Sequence, residues 1–466
     1  MAAPLHELTI GEAGRLIENG VLSPVELTTA FLDRIEKLDP KLNAYITVTP
    51  DRAMEQATIA EAELAAGRRR GPLHGIPIAL KDLFDTTGVA TTSGSRVFAN
   101  RVPGSDGTVA ARLREAGAVL LGKLAMSENA AGGPDPSNGY PIPNNPWNLE
   151  HGAGGSSNGS AVAASAGLAM GTMGSCTRGS IRAPAAFCNV VGLKPTYGRV
   201  SRHGVMPLSW TLDHAGPITR TVEDAAIMLG AVAGYDPADP TSSGEAVPDY
   251  AKALGGGIEG LRIGVARHFF FDGGMPFVQP EPLELADRAI GELEKLGAKV
   301  EEISIPALEI SDAAALVILL GEGYAFHQRN LAERPELYGD LNRAEFRVGG
   351  LFSMAEYVGA QRARNVLKAQ YAEALTSVDV IASPTFAVVA PRHDAGPGTA
   401  VTKMPSYTGP YNLTGLPAIS VPCGFTAAGL PLGLQLAGRP FQEATILRAA
   451  YAYEQATEHH LRRPLI

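Results

Sequence analysis

Strand-like and helix-like segments alternate along most of the chain, and this alternation limits the folds that it can adopt. Apolar runs of about 4–8 residues have the length of buried strands, whereas longer amphipathic segments have the length of helices. The strand-like segments are 76–80, 118–121, 261–266, 299–305, 380–382, 418–421 and 432–437, and helix-like segments include 51–66, 281–296, 310–376 and 443–457. The pattern predicts an α/β layered fold with helices on both faces of a sheet.

The charge and the cysteine content argue against several classes of function. The net charge of −9 disfavours nucleic-acid binding, which needs clustered Lys and Arg. Cys176, Cys188 and Cys423 are widely spaced, so they predict neither a disulfide framework nor a metal site and fit a reducing cytosol. The chain shows no signal peptide and no apolar run of about 18 residues. We therefore expect a cytoplasmic protein that does not bind a membrane.

Two short motifs suggest other chemistries, but neither has the context that it needs. Residues 117–123 match the opening of a P-loop, yet Leu124 stands where Ser or Thr would bind magnesium. Residues 155–159 match the GxSxG motif, but turn-forming residues precede them instead of a strand. His203 and His214 follow in no recognisable arrangement. The sequence thus favours neither nucleotide binding nor a Ser–His–Asp hydrolase.

A third set of motifs is more specific than either of these. It comprises Gly75-Ile76-Pro77-Ile78-Ala79-Leu80-Lys81-Asp82, Gly154-Gly155-Ser156-Ser157, Gly174-Ser175-Cys176-Thr177-Arg178-Gly179-Ser180-Ile181-Arg182, Asp213-His214-Ala215-Gly216-Pro217 and Asn412-Leu413-Thr414-Gly415-Leu416-Pro417. In this order the motifs resemble those of the amidase signature family over nearly the whole chain. The resemblance is strongest between residues 71 and 230.

The residue types in these motifs suit acyl transfer. A serine hydroxyl is a weak nucleophile that needs an adjacent base. A lysine can be that base only when it is neutral, and burial lowers its pKa. An intermediate serine can relay the proton because a hydroxyl both accepts and donates. A glycine-rich loop can aim several backbone N–H groups at one oxygen, which forms an oxyanion hole.

The resemblance implies a role for each residue in these motifs. Ser180 would be the acylated nucleophile, Ser156 the relay serine after a cis peptide bond, and Lys81 the general base. The expected oxyanion hole consists of the N–H groups of Thr177, Arg178, Gly179 and Ser180. The remaining assignments are Arg182 as a loop-bracing residue, Gly132, Gly133 and Arg178 as substrate contacts, and Lys123 and Lys194 as structural or exposed residues.

The resemblance also implies the architecture. It predicts one compact α/β/α domain with a central mixed sheet flanked by helices. Residues 1–70 would be a helical segment packed on a catalytic unit of residues 71–466. In this family variable segments line the substrate pocket, here expected around 125–140, 311–360 and 384–408.

The nucleophile loop departs from the family pattern at two positions. The usual acid is replaced by Cys176 and a usual glycine by Arg178, so bracing of the loop by that acid is lost. Three roles are open for Arg178. It could point to solvent or pair with a nearby acid, it could contact a carboxylate or an aromatic group of the substrate, or it could reshape the loop and abolish activity.

Three functions remain in competition. A stand-alone amidase would form an acyl-enzyme on Ser180 and release ammonia or an amine from a small-molecule amide. A glutaminase subunit of a tRNA-dependent amidotransferase would also need a partner protein. A catalytically impaired homologue would act as a binding protein. The family implies no metal and no cofactor, and a homodimer is possible.

Overall fold

The strands of the computed structural model, which describes residues 4–272, 277–395 and 406–466, form an 11-stranded mixed sheet and a separate two-stranded hairpin. Together they are β1 Tyr45–Val48, β2 Pro77–Lys81, β3 Val119–Leu124, β4 Asn144–Asn145, β5 Asn148–Gly152, β6 Gly171–Cys176, β7 Val191–Lys194, β8 His214–Thr219, β9 Arg262–Val265, β10 Lys299–Glu302, β11 Val380–Pro384, β12 Ala418–Phe425 and β13 Pro431–Gly438. The hairpin is β4–β5, and every other strand belongs to the large sheet.

The strand order of the large sheet determines which loops meet. The order is β1-β3-β2-β6-β8-β7-β12-β13-β11-β9-β10. Strands β2 and β6 are parallel neighbours, with Ile78 opposite Gly171 and Leu80 opposite Met173. Because parallel neighbours end at the same edge of a sheet, the residues that follow β2 and β6 are brought together. Lys81 and the loop that carries Ser180 are therefore adjacent.

Helices cover both faces of the sheet, as the sequence predicts. They are α1 Ile10–Glu18, α2 Pro24–Leu42, α3 Pro50–Ala65, α4 Thr108–Glu115, α5 Asn158–Ser165, α6 Arg182–Phe187, α7 Val222–Val232, α8 Arg267–Phe270, α9 Pro280–Lys295, α10 Ser311–Glu333, α11 Asp340–Gly349, α12 Met354–Ser377, α13 Gly409–Thr414 and α14 Glu443–Ala456. Every residue of α5 is buried, because its alanines, serines and glycine let it pack closely against the sheet.

Most of the predicted strands are confirmed, but the centre of the sheet is not predicted in full. The sequence does not predict β6, which leads to Ser180, or the strands β8 and β7 that follow it in the sheet. Strands β6 and β7 lack the long apolar runs by which a strand is recognised. They are buried instead by their place between other strands, which local sequence does not encode.

Lys123 and Lys194 are fully buried and have structural contacts. Lys123 Nζ donates a hydrogen bond to the Phe84 carbonyl at 2.8 Å and lies 3.3 Å from the Asp82 carboxylate. Lys194 Nζ donates to the Leu416 carbonyl at 2.5 Å. The alternative that these two lysines are exposed is therefore wrong, and the structural one is right.

No helix within the described ranges combines the length and the apolar character that crossing a membrane would require.

Candidate active site

Lys81 is the last residue of β2, and its side chain is fully buried. Its Nζ atom lies 2.7 Å from Ser156 Oγ, 3.0 Å from Ser157 Oγ and 2.9 Å from Ser175 Oγ. Among the described residues its hydrogen-bond partners are thus three hydroxyl groups and no carboxylate. No ion pair among these contacts therefore stabilises the charged form of Lys81.

Burial lowers the pKa of Lys81 to about 7, although Cys176 and Asp213 act in the opposite direction. Removing an ammonium group from water disfavours its charged form. A large share of Lys81 is therefore neutral near pH 7. In that form it can accept a proton from a hydroxyl at hydrogen-bond distance.

The segment around Ser156 joins Lys81 to the nucleophile loop. The Gly155–Ser156 peptide bond is cis, in agreement with the resemblance. The Ser156 carbonyl accepts a hydrogen bond from the Ser127 N–H at 3.1 Å, and Ser157 donates its N–H to the Ser180 carbonyl at 3.2 Å. The fold therefore brings Lys81, Ser156 and Ser180 together from three separate parts of the chain, and Ser180 is partly accessible to solvent.

The loop between β6 and α6 carries Ser180 and offers free backbone donors. The N–H groups of residues 177–180 donate no hydrogen bond to any residue in the described part of the chain. A Cβ on Gly179 would lie 2.1 Å from Thr408 Oγ1, so only glycine fits there. The Thr408 hydroxyl donates a hydrogen bond to the Arg178 carbonyl at 2.7 Å. In a trans peptide the carbonyl and the N–H of the following residue point in opposite directions, so the Gly179 N–H points away from Thr408.

Asp213 holds the beginning of this loop. Its carboxylate accepts hydrogen bonds from the Thr177 hydroxyl at 2.6 Å and from the N–H groups of Leu208 and Ser209 at 2.8 and 3.0 Å. Burial raises the pKa of Asp213, and the hydrogen bond from Thr177 opposes this shift. Asp213 thus braces the beginning of the nucleophile loop through Thr177.

Arg182, at the start of α6, is fully buried and ties the loop to two other elements. It donates hydrogen bonds to Asn412 Oδ1 on α13 at 2.5 Å and to Gln435 Oε1 on β13 at 2.6 Å. It also contacts Cys176 Sγ at 3.6 Å. These contacts agree with a bracing role for Arg182.

Arg178 projects from the loop toward α10. Its Nη2 and Nε atoms both donate hydrogen bonds to Asp312 Oδ1, and the latter distance is 3.2 Å. Of the three roles open for Arg178, the structure shows the pairing with a nearby acid. Its main chain stays in the loop, so its N–H remains available as an oxyanion donor.

The two predicted substrate-contact glycines differ in their surroundings. A Cβ on Gly132 would lie 3.1 Å from Glu345 Oε2 and 3.2 Å from Leu341 Cδ2, both on α11. The gap between Gly132 and α11 is therefore narrow, and Gly132 itself is exposed to solvent. A Cβ on Gly133 would meet no described atom within 4 Å, so Gly133 faces free space.

A groove of about 510 Å³ lies elsewhere, between α3, α4 and the strands β2 and β3. Ile78 and Leu80 contribute to its lining. Side chains alternate along a strand, so these two residues face away from the side on which Lys81 lies. The groove is therefore on the opposite face of the sheet from the three hydroxyl groups around Lys81.

Sequence reasoning did not identify four residues of this site. Ser157 and Ser175 contact Lys81 and stand within two of the motifs, but no role was predicted for either. Asp312 and Glu345 come from helices in a segment expected to vary, and no local pattern marks them.

In the described ranges no group of three or more His, Cys, Asp and Glu side chains could hold a metal ion.

The chain is similar to known amidases and amidotransferase subunits along its length. Residues 26–447 match the family model described as Amidase. The A subunit of glutamyl-tRNA(Gln) amidotransferase from Moorella thermoacetica is 42% identical, with 99% of each chain covered. Among solved structures, the same subunit from Thermotoga maritima has a TM-score of 0.84 at 33% identity, covering 98% of this chain and 96% of the other. Peptide amidase from Stenotrophomonas maltophilia has a TM-score of 0.85 at 34% identity, covering 99% of both.

Proposed function

The chain belongs to the Amidase family, whose members hydrolyse C–N bonds of amides, and we propose that it does so through an acyl-enzyme on Ser180. The observation that carries this proposal is the contact of 2.7 Å between Lys81 Nζ and Ser156 Oγ in a fully buried setting. It supplies a neutral base at hydrogen-bond distance from a relay hydroxyl, and Ser156 belongs to the segment that is bonded to Ser180.

The reaction proceeds in two halves. Lys81 accepts the proton of Ser156 while Ser156 accepts that of Ser180, and the Ser180 Oγ attacks the amide carbonyl carbon. The free N–H groups of residues 177–180 stabilise the negative oxygen that forms. The proton returns through Ser156 to the leaving nitrogen as the C–N bond breaks. Water, activated by the same relay, then hydrolyses the ester and frees Ser180.

The finer function that the relatives favour is that of a glutaminase subunit in a tRNA-dependent amidotransferase. The identity of 42% to an amidotransferase subunit extends over 99% of both chains. In this role glutamine is the amide, ammonia leaves Ser180, and a partner subunit uses it. This context ranks above the stand-alone amidase that the motifs first suggested.

A stand-alone amidase is the second candidate, and Arg178 favours it. This residue occupies a loop position that is usually glycine in the family, and it is tied to Asp312 beside Ser180. A changed charge at that point favours an amide substrate that differs from the one its relatives use. The structural similarity to peptide amidase agrees with this alternative.

Labelling by a serine-directed fluorophosphonate tests the chemistry without knowledge of the substrate. Mass spectrometry would locate the adduct in the wild type, in Ser180→Ala and in Lys81→Ala. We expect an adduct on Ser180 that is absent from the first variant and forms much more slowly in the second. An adduct on Ser157 would refute the choice of nucleophile, and no adduct on the folded protein would favour the impaired homologue.

A kinetic comparison separates the two contexts. The isolated chain would be assayed for ammonia release from glutamine and from simple aliphatic amides. Glutamine hydrolysis that depends on a co-purifying second subunit supports the amidotransferase. Faster hydrolysis of simple amides by the chain alone supports the stand-alone enzyme.

A further inference from the structure

The first turn of α11 is fixed over the loop that contains Gly132. Four hydrogen bonds join the two segments. Two run from backbone N–H groups to side chains of the loop, from Gly339 to Glu128 Oε2 at 2.9 Å and from Leu341 to Asp135 Oδ2 at 2.8 Å. The other two use Asn342, whose Oδ1 accepts from Asn129 Nδ2 at 3.0 Å and whose Nδ2 donates to the Glu128 carbonyl at 3.0 Å. The position of α11 relative to residues 128–135 is therefore well determined.

Glu345 lies one turn further along α11, on the side that faces this loop. Its Oε2 atom is 3.1 Å from the position of a Cβ on Gly132, and Leu341, four residues earlier, faces the same point. Residues four apart share one face of a helix. An apolar residue is expected on an inward face, so the carboxylate of Glu345 is an exception to the amphipathic pattern.

Glu345 has no partner in the described part of the chain. It accepts no hydrogen bond, and no cation lies within ion-pair distance of it. Burial raises the pKa of Glu345 to about 7, and Arg178 opposes this shift. Neither oxygen of Glu345 is among the fully buried side-chain atoms that lack a partner, so both can be reached by solvent or by a ligand.

Both walls of the gap at Glu345 are attached to the reacting groups. On one side, the loop of Gly132 begins at Ser127, whose N–H is bonded to the Ser156 carbonyl. On the other side, Arg178, the charge that acts on Glu345, is two residues before Ser180. The gap is thus connected on both sides to the segments that carry Ser156 and Ser180.

The charges around the gap leave it negative when Glu345 is ionised, and a cation bound beside the carboxylate favours that ionised form. Arg178 is neutralised by its pairing with Asp312, and the carboxylate of Glu345 remains unmatched. One guanidinium and two carboxylates sum to one negative charge. We propose that Glu345 binds a cationic group, an ammonium or a protonated amine, on the acyl part of a primary amide substrate. The acyl part must carry it because the leaving group of a primary amide is ammonia, and this inference rests on the proposed acylation of Ser180.

Four amides of matched shape test the proposal. Glutamine carries an ammonium and a carboxylate, γ-aminobutyramide only the ammonium, glutaramic acid only the carboxylate, and butyramide neither. We expect kcat/KM to be higher for each ammonium-bearing amide than for its partner without it. In Glu345→Gln this advantage should fall about 10- to 100-fold, while butyramide hydrolysis changes less than about 3-fold.

Asp340→Asn is the matched control, because it removes the same charge from an exposed position of the same helix. Its side chain is 74% exposed and pairs with Arg343. This control should keep the ammonium preference. Glu345→Gln should also unfold at no lower temperature than the wild type, because Glu345 has no bond to lose. A lower Tm for Glu345→Gln would assign the residue a structural role and overturn the proposal.

Fluorophosphonate labelling of Ser180 in the same proteins distinguishes the failure of the proposal from that of the function. Labelled Ser180 with equal kcat/KM across the four amides, or with an ammonium preference that survives Glu345→Gln, overturns the role of Glu345 and leaves the hydrolase intact. Unlabelled Ser180 in a folded wild type overturns both.

Discussion

The guanidinium of Arg182 meets the thiol of Cys176 at 3.6 Å, where the family usually has a carboxylate. Arg182 is fully buried, and its other acceptors, Asn412, Gln435 and the Thr408 carbonyl, are neutral. Burial raises the pKa of the Cys176 thiol, but Arg182, Lys194 and the Ile181 N–H together lower it by more, so its pKa lies below the usual value. Among the hydrogen-bond acceptors of Arg182 in the described ranges, the thiol is thus the one that can become an anion.

Restoring the acid by Cys176→Asp should change both stability and pH dependence. A carboxylate would give Arg182 a charge-assisted hydrogen bond, so we expect a higher Tm. It would also favour the charged form of Lys81, raise its pKa, and move the acid limb of kcat/KM to higher pH. Cys176→Asn, which has the same shape without the charge, is the control. Equal Tm and equal pH midpoints in the two variants would contradict this account.

The pH dependence of the wild type should report Lys81. The residue acts as a base only when neutral, and its pKa is about 7. The value of kcat/KM should therefore rise with pH and level off above about 7. Lys81→Met should lower the plateau at least about 1,000-fold. A profile that is flat from acid to alkaline pH in the wild type would show that Lys81 is not the base.

The two serines beside Lys81 should differ in their effect. Ser156 is closest to Nζ and precedes the segment bonded to Ser180, so Ser156→Ala should lower kcat/KM about 100- to 10,000-fold. Ser157 lies at 3.0 Å and donates its hydroxyl to the Ser175 carbonyl at 3.1 Å. Ser157→Ala removes a hydrogen bond to Lys81 but no relay, and the loss should stay within about 10-fold. Steady-state kinetics of both variants on one amide measures the two losses. A larger loss of kcat/KM in Ser157→Ala than in Ser156→Ala would make Ser157 the relay.

Removing the cation of the nucleophile loop should strengthen selection for a cationic amide. Arg178→Ala leaves Asp312 without its cation and raises the pKa of Glu345, so the gap becomes more negative only at a pH well above 7, where Glu345 is ionised. The N–H of residue 178 remains, and the comparison is made at such a pH. We expect the ratio of kcat/KM for γ-aminobutyramide to that for butyramide to increase, with butyramide itself changing less than about 10-fold. Arg329→Ala is the control, because it removes a cation whose side chain is 84% exposed. It should leave this ratio unchanged. A ratio that falls in Arg178→Ala would place the substrate charge elsewhere.

The sequence predicts the parts of this site that lie within motifs of recognisable residue types and spacing. Lys81, Ser156 and Ser180 each stand in such a motif, and the layered fold follows from the alternation of apolar segments. Strand β6 escapes prediction because Gly171–Cys176 contains glycines and hydroxyl side chains, and its burial comes from neighbouring strands. Tertiary context overrides local preference there.

Residues outside the motifs could not be predicted in the same way. Asp312 and Glu345 are ordinary acids in helical sequence, and only the docking of α10 and α11 brings them near Arg178 and Gly132. The role of Arg178 was open for the same reason, since its partner is distant along the chain. Segments 125–140 and 311–360 were expected to line the pocket, which remains a prediction, and residues 396–405 of the third segment lie outside the described ranges.

The four hydrogen bonds between the start of α11 and residues 128–135 have a consequence for how such an enzyme can diversify. The groups that form and break bonds belong to the sheet edge and its loops, whereas the charges proposed to select the substrate belong largely to a helical layer attached from outside. We therefore expect substitutions within that layer to change which amide is accepted without disturbing the proton relay. Engineering of a new specificity should accordingly begin in α10 and α11 and leave β2 and β6 untouched.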